Sequence, residues 1–355
     1  MSEILLSATL YQRFLTCPSS AAFSVDPNAK RFLKPSLKGL LGIVAHKLVE
    51  QSMHISNELS HEQVAVWFEK QWQLDIEEQY AELKKQWFPN IAPKPESWPG
   101  YFATRASAKS LVLKNSNFLS TRYERPSKSK GGKIGNESLE LPLVEKFLRS
   151  DSLAIVGKPD LVFMEKEKAT IYDYKFSSNQ DDIEKHKIQM LFYQLLVEEV
   201  VKIKVGRMAI VASSSRIYEI PNDIQESNRI RTDIPRVLNA LKTNKVVAIP
   251  SVSNCKYCPF KSICEPFKSM NLEIHPNLPM AISGKVLNVS KVGNGIQELI
   301  IGPKSRGRGE PIKVFGVPEN YAIEPGATVF LADNLEYRDP STIGFAWNSR
   351  IFIQD

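Results

Sequence analysis

Two short stretches place acidic and basic groups where they could act on one another. Gly157-Lys158-Pro159-Asp160 and Asp173-Tyr174-Lys175 each lie in apolar, strand-like sequence, with twelve residues between the two aspartates. Side chains alternate along a strand, so Asp173 and Lys175 point the same way. If the two stretches pair as a hairpin, two carboxylates and an ammonium meet at one end of it. That combination borders a metal ion and a water, and hard divalent ions such as Mg²⁺ or Mn²⁺ take oxygen ligands. An acid-any-lysine tripeptide alone carries little, since Glu82-Leu83-Lys84 in a helical stretch satisfies it too. The added weight comes from the β context, the preceding Gly-x-x-Asp and the cost of an unpaired aspartate in apolar surroundings.

Two further pairs share helix faces at i and i+4: His46 with Glu50, and Gln189 with Tyr193. Taken singly, such groups are more often satisfied core polar residues than ligand contacts. The four cysteines are more distinctive. Cys255, Cys258 and Cys264 fall within ten residues, and Cys17 lies near the start of the chain. Four thiolates satisfy a [4Fe-4S] cluster, and a structural Zn²⁺ accepts the same donors, although zinc commonly uses two short Cys-x2-Cys knuckles. Either centre would close a loop spanning most of the chain and act as a staple, because long loops lose the most closure entropy when tied.

The elements that must hold these groups can be read from periodicity. Leucine and valine recur at helical spacing over 35–53, and 61–86 continues as helix with an aromatic stripe that reads as core. A proline-rich break follows, then a helix from about Tyr101 to Phe118. Beyond it "ESLELPLV", "LAIVGKPDLVFM" and "ATIYDYKF" read as strands. A long helix over 182–204, strands "GRMAIVASS" and "RIYEI" and a helix over 224–242 complete an α/β pattern. From about Leu278 the chain turns to short alternating segments, about five strands of a small all-β module, OB-like or SH3-like.

The 355 residues, 43% hydrophobic and 24% charged, are enough for a globular core in one or two domains. The chain lacks a run of about 18 apolar residues and a signal-peptide pattern at its start, so a cytoplasmic protein with reduced or metal-bound thiols and no membrane association is expected. The net charge of +7 is a mild excess whose distribution matters more. Arg122, Arg125, Lys128, Lys130 and Lys133 stand against Glu124, and Lys304, Arg306, Arg308 and Lys313 against Glu310. Each loop reads as a solvated connection or as a phosphate-contacting segment, and both are candidate DNA contacts.

Together, Gly42-Ile-Val-Ala-His46-Lys-Leu-Val-Glu50, Gly157-Lys-Pro-Asp160, Asp173-Tyr-Lys175 and Gln189-Met-Leu-Phe-Tyr193 resemble, in order, the motifs of RecB-type nucleases of the PD-(D/E)XK superfamily. Cys17 with Cys255-x2-Cys258-x5-Cys264 resembles the iron-sulphur branch, which includes CRISPR-associated RecB-like exonucleases and the nuclease domain of AddB. The resemblance implies a restriction-endonuclease-like α/β core over about 1–270, with a helical insertion at about 52–135 and an iron-sulphur staple, followed by the β module at 278–355. It implies His46, Asp160, Asp173 and the Tyr174 carbonyl as metal ligands, and Lys175 as the group that orients or activates the attacking water. Gln189 and Tyr193 would position the strand or the lysine, and Glu50 would support His46. The implied activity is Mg²⁺- or Mn²⁺-dependent hydrolysis of DNA, on single strands or ends, in a CRISPR, repair or phage-defence setting that would supply protein partners. A binding or scaffold subunit is the other reading, but degenerate relatives lose an aspartate or the lysine and this chain keeps them all.

Overall fold

The computed structural model describes residues 3–33, 36–55, 59–86, 92–116, 132–134, 137–139, 141–176, 183–212, 216–269, 281–303, 310–333, 335–339, 341–346 and 349–354. The chain forms two compact units: Met1–Leu15, Pro35–Leu83 and Pro93–Lys245 make the first, and Thr16–Lys34, Lys84–Ala92 and Val246–Asp355 the second. The second unit thus joins residues from near the N-terminus to the C-terminal stretch.

Five helices come first: α1 (Ala8–Thr16), α2 (Pro18–Val25), α3 (Leu37–Ser52), α4 (His61–Gln86) and α5 (Tyr101–Asn115). Helix α3 starts where Ser36 caps it, its Oγ accepting the Gly39 N–H at 3.3 Å. It buries Leu41, Val44, Ala45, Leu48 and Val49, leaving His46 and Glu50 half-buried on another face. In α4 the buried residues Val64, Phe68, Trp72 and Ile76 recur every four positions, as the aromatic stripe predicted. The Trp72 indole N–H donates to the Tyr101 hydroxyl at 3.1 Å, which satisfies a buried donor and fixes α4 against the start of α5. Helix α5 ends at Asn115, and the basic residues Arg122, Arg125, Lys128 and Lys130 lie outside the described residues.

Among the described residues, nine strands follow within the first unit: β1 (Gly132–Ile134), β2 (Glu137–Leu139), β3 (Leu143–Val144), β4 (Leu148–Ser150), β5 (Ile155–Gly157), β6 (Leu161–Glu165), β7 (Lys168–Lys175), β8 (Val205–Ala212) and β9 (Ile217–Ile220). The main sheet runs β3-β6-β7-β8-β9, all antiparallel except β7–β8. A parallel pair needs a crossover, and α6 (Ile183–Leu196) lies between the two strands in sequence. As the central strand, β7 is buried almost end to end, which explains its near-continuous apolar run. Helix α7 (Ile224–Lys242) closes the unit, capped by Asp223, whose Oδ1 accepts the Glu226 N–H at 3.0 Å.

Two expectations change here. "LAIVGKPDLVFM" is two strands in two sheets, β5 beside β4 and β6 beside β3 and β7, because Pro159 lacks an N–H and interrupts the ladder. Gly-Lys-Pro-Asp is therefore the link between strands, not part of one. The long helix ends sooner than residue 204, through a π-helical turn at Val197–Val201 and a left-handed Lys202 at φ 62°.

In the second unit, α8 (Val252–Cys255) and α9 (Glu265–Lys268) flank the cysteine segment. Strands β10 (Ala281–Gly293), β11 (Ile296–Pro303), β12 (Ile312–Pro318), β13 (Thr328–Ala332), β14 (Leu335–Asp339), β15 (Thr342–Phe345) and β16 (Arg350–Gln354) form one sheet ordered β14-β15-β12-β11-β10-β13-β16. Among the described residues that is seven strands where about five are expected. "ATVFLADNLEYR" is interrupted at Asp333, which has φ 68°, and so makes two strands, while "TIGF" makes one of its own. The order β13-β10-β11-β12 is a Greek key, with the fourth strand returning beside the first. Its core holds Val286, Leu299, Ile301, Val314, Val329 and Leu331. At Gly284 a Cβ would stand 2.0 Å from the Gly302 carbonyl oxygen, so this crossing of β10 and β11 admits only glycine. Lys304, Arg306 and Arg308 lie outside the described residues, while Lys313 on β12 pairs with Glu298 at 2.8 Å.

Candidate functional site

Strand register builds the site of the first unit. Leu161 faces Tyr172 across β6 and β7, which sets Asp160 opposite Asp173. Val144 faces Leu161 across β3 and β6, which sets Glu145 opposite Asp160, and the Glu145 N–H donates to the Asp160 carbonyl at 2.9 Å. Three acids thus form one row across three neighbouring strands, where directly opposed side chains share a face. Helix α3 brings His46 to this row: its Nδ1 lies 3.3 Å from Asp160 Oδ1 and 3.4 Å from Glu145 Oε1. Among the described residues, His46, Glu145 and Asp160 are the one set of three or more potential metal donors whose ligand atoms all lie within 4.8 Å of one another.

The remaining groups fix these acids. Asp160 Oδ2 accepts the Tyr174 backbone N–H at 2.6 Å. Lys175 Nζ lies 2.6 Å from Asp173 Oδ2, close enough for charge pairing, yet that oxygen is buried and receives no directed hydrogen bond. Gln189 on α6 donates to Asp173 Oδ1 at 3.2 Å and to the Tyr193 hydroxyl at 2.7 Å. Lys158 Nζ sits 2.5 Å from Glu145 Oε2. Glu50 lines the same cleft, of about 580 Å³, and its charge acts on Lys158; the carboxylates that reach His46 are Glu145 and Asp160. Gly157 is needed for this closeness, since a Cβ there would stand 2.7 Å from Leu196 Cδ1 and 3.0 Å from Tyr193 Cε1.

Glu145 was not singled out from the sequence. Its signal is an acid directly after an apolar strand, but only the β3–β6 register shows which residue faces Asp160. Its backbone is left-handed at φ 47°, a conformation that costs a non-glycine residue about 1–3 kcal/mol and is held here by the Glu145 N–H bond and the Lys158 ion pair.

The electrostatics follow from crowding buried acids. Burial first, then the charge of Asp173, pushes the Asp160 carboxyl up to about 7 despite His46. For His46 burial works against the charged ring, but the hydrogen bond and charge of Asp160, with Glu145, outweigh it and raise the imidazole to about 10. Burial would raise Glu145 too, yet its bonds to His46 and Lys158 draw it down to about 2. A cleft that holds protons this tightly favours cations. Asp173 Oδ2, buried with Lys175 as its charge partner, and the converging oxygens of Glu145 and Asp160 fit a hard divalent ion, with His46 as a nitrogen donor.

A second donor set lies wholly in the second unit. Cys17, Cys255, Cys258 and Cys264 are all free thiols and line one cavity with Phe23, Phe260 and Phe267. The Ile249 N–H points at Cys17 Sγ at 3.5 Å, and Ser20 Oγ lies 3.8 Å from Cys258 Sγ. Burial raises the Cys255 and Cys264 thiols, and the neighbouring cysteines raise them further. Four thiols converging in an apolar pocket fit a four-thiolate metal centre.

Acids, a histidine and a lysine thus converge on one sheet end of a mixed α/β unit, an arrangement that fits a divalent metal. The model of the PD-(D/E)XK nuclease superfamily matches residues 5–265, and the chain belongs to that superfamily. Its members are metal-dependent nucleases. No curated protein sequence matches the chain. Among solved structures it is similar to "Crystal structure of SSO0001", with 17% identity, 47% of this chain and 78% of that chain covered, and a TM-score of 0.24. No helix among the described residues is long and apolar enough to cross a membrane.

Proposed function

We propose that this protein is a Mg²⁺- or Mn²⁺-dependent deoxyribonuclease of the RecB-like branch, built on a restriction-endonuclease-like core and acting on single strands or DNA ends. The observation that carries the proposal is the row Glu145, Asp160 and Asp173, with Lys175 2.6 Å from Asp173. His46, Glu145, Asp160 and Asp173 would hold the metal, and the Tyr174 carbonyl remains a candidate ligand. When bound, the metal polarises the phosphodiester and lowers the pKa of a bound water.

The chain's own groups would do the rest. Lys175 is poised to orient the attacking water and to offset charge building on the phosphate. Gln189, anchored on Tyr193, holds Asp173 in the rotamer that faces the cleft. Arg122, Arg125, Lys128, Lys130, Lys304, Arg306 and Arg308 stay proposed as backbone contacts, and the Greek-key sheet of the second unit supports an OB-like role along a strand. The four cysteines would hold a [4Fe-4S] cluster. A structural Zn²⁺ would accept the same four thiolates.

The test is cleavage of labelled single-stranded, duplex and forked DNA with Mn²⁺, by the wild type and by Asp173→Ala. Loss of cleavage in a folded variant supports the proposal. Salt-dependent binding without turnover, unaffected by Lys175→Ala, would instead favour the binding-subunit reading.

A further inference from the structure

Lys261 lines the cysteine cavity and is 1% exposed. Its ammonium lies 2.8 Å from Asp333 Oδ1 and donates to the Lys256 carbonyl at 2.9 Å. The other oxygen of Asp333 accepts from Arg350 Nε and Nη2 at 2.9 and 2.7 Å. The Arg350 fork also donates to the Phe32 and Pro259 carbonyls at 2.5 and 2.6 Å. Arg350 and Asp333 are each 6% exposed.

In these contacts two cations share one carboxylate, which leaves about one positive charge buried beside four thiols. A buried charge without a counterpart is strongly unfavourable. A four-thiolate centre around Zn²⁺ or a [4Fe-4S] core would carry roughly two negative charges, and neutral thiols would carry none.

We infer that Lys261, held by Asp333 and Arg350, is the charge counterpart of the metal centre, a positioning residue for the four-thiolate group. The inference rests on the four-thiolate reading. It has a structural corollary. Asp333 directly follows β13 and Arg350 opens β16, so the same contacts fasten the C-terminal sheet to the cysteine segment. Loading of the centre and closure of the sheet end then stabilise each other.

The experiment uses the full chain, purified anaerobically, with iron and zinc assays, visible absorption, release of metal to a chelator, and melting of metal-loaded and metal-free forms. Lys261→Met removes the charge, and Lys261→Gln removes it but keeps a donor for the Lys256 carbonyl. Both variants are expected to release metal roughly ten- to a hundredfold more readily than wild type. Their metal-free forms should melt no lower than metal-free wild type, because Arg350 and Asp333 remain as a neutral pair. For an iron-sulphur centre the reduction potential should fall as well. Wild-type retention in either variant overturns the inference, as does rescue by Lys261→Gln alone, or a variant that melts lower or cannot fold without metal. Wild type with neither iron nor zinc overturns the four-thiolate reading itself.

Discussion

Glu145 stands directly across from Asp160, one residue beyond the end of β3, and its backbone N–H donates to the Asp160 carbonyl at 2.9 Å. The same ladder that builds the sheet thus delivers a third carboxylate to the pair read from sequence.

Glu145→Gln keeps the shape and the backbone bond but removes the charge that faces His46 and Lys158. Mn²⁺ affinity by calorimetry should fall roughly ten- to a hundredfold, and cleavage with it. Unchanged affinity would place Glu145 outside the metal site.

As a proposed ligand, Asp160 should make metal binding pH-dependent. Its folded pKa of about 7 is above its ordinary value of 3.8, so the stability it contributes is present below that value and lost as pH rises through 7. Bound metal needs the carboxylate, and His46, raised to about 10, must also release a proton to act as a ligand. The rise in melting temperature caused by Mn²⁺ should therefore be larger near pH 8 than near pH 6. An equal rise at both would count against these residues as ligands.

Gly157→Ala tests the packing beneath the site. The added Cβ would meet Leu196 and Tyr193, both buried, and overpacking of this kind costs about 1–3 kcal/mol. If Tyr193 moves, Gln189 loses its anchor, so activity should fall by more than the lost stability explains. A variant with wild-type melting would show that α6 yields easily.

Gly284→Ala addresses the second unit. A Cβ 2.0 Å from a carbonyl oxygen cannot be absorbed by a side-chain rotation, so β10 and β11 must separate there. Limited proteolysis should cut the variant within 281–355 under conditions that spare the wild type.

Much of this is legible in the sequence. Asp173 and Lys175 share a face because of strand alternation, and Gln189 and Tyr193 because of helical spacing; both pairs meet as that geometry requires. The helices at 61–86 and 224–242 have the limits that their periodicity predicts. Glu145 was hidden because register is a tertiary fact: without knowing how β3 aligns with β6, any acid near Leu141-Pro142 is equivalent. The Lys261–Asp333–Arg350 contacts were hidden for a related reason, since residues 72 and 17 positions apart in sequence give no local sign of sharing charge. Over 153–164 the sequence suggests one strand where there are two, because apolar alternation continues across Pro159 and the hydrogen-bond ladder cannot.

The discontinuous second unit also sets a clock on synthesis. At ribosomal rates of about 5–20 residues per second, Cys17 emerges roughly 12–50 s before Cys255 follows it. Throughout that interval the first unit, whose segments run to Lys245, can complete its own sheet while the early thiol waits. If the four thiols share one centre, as proposed, the nascent chain passes through a stage in which Cys17 is made and its three partners are not yet translated, so the window most exposed to oxidants is the synthesis of residues 17 to 255.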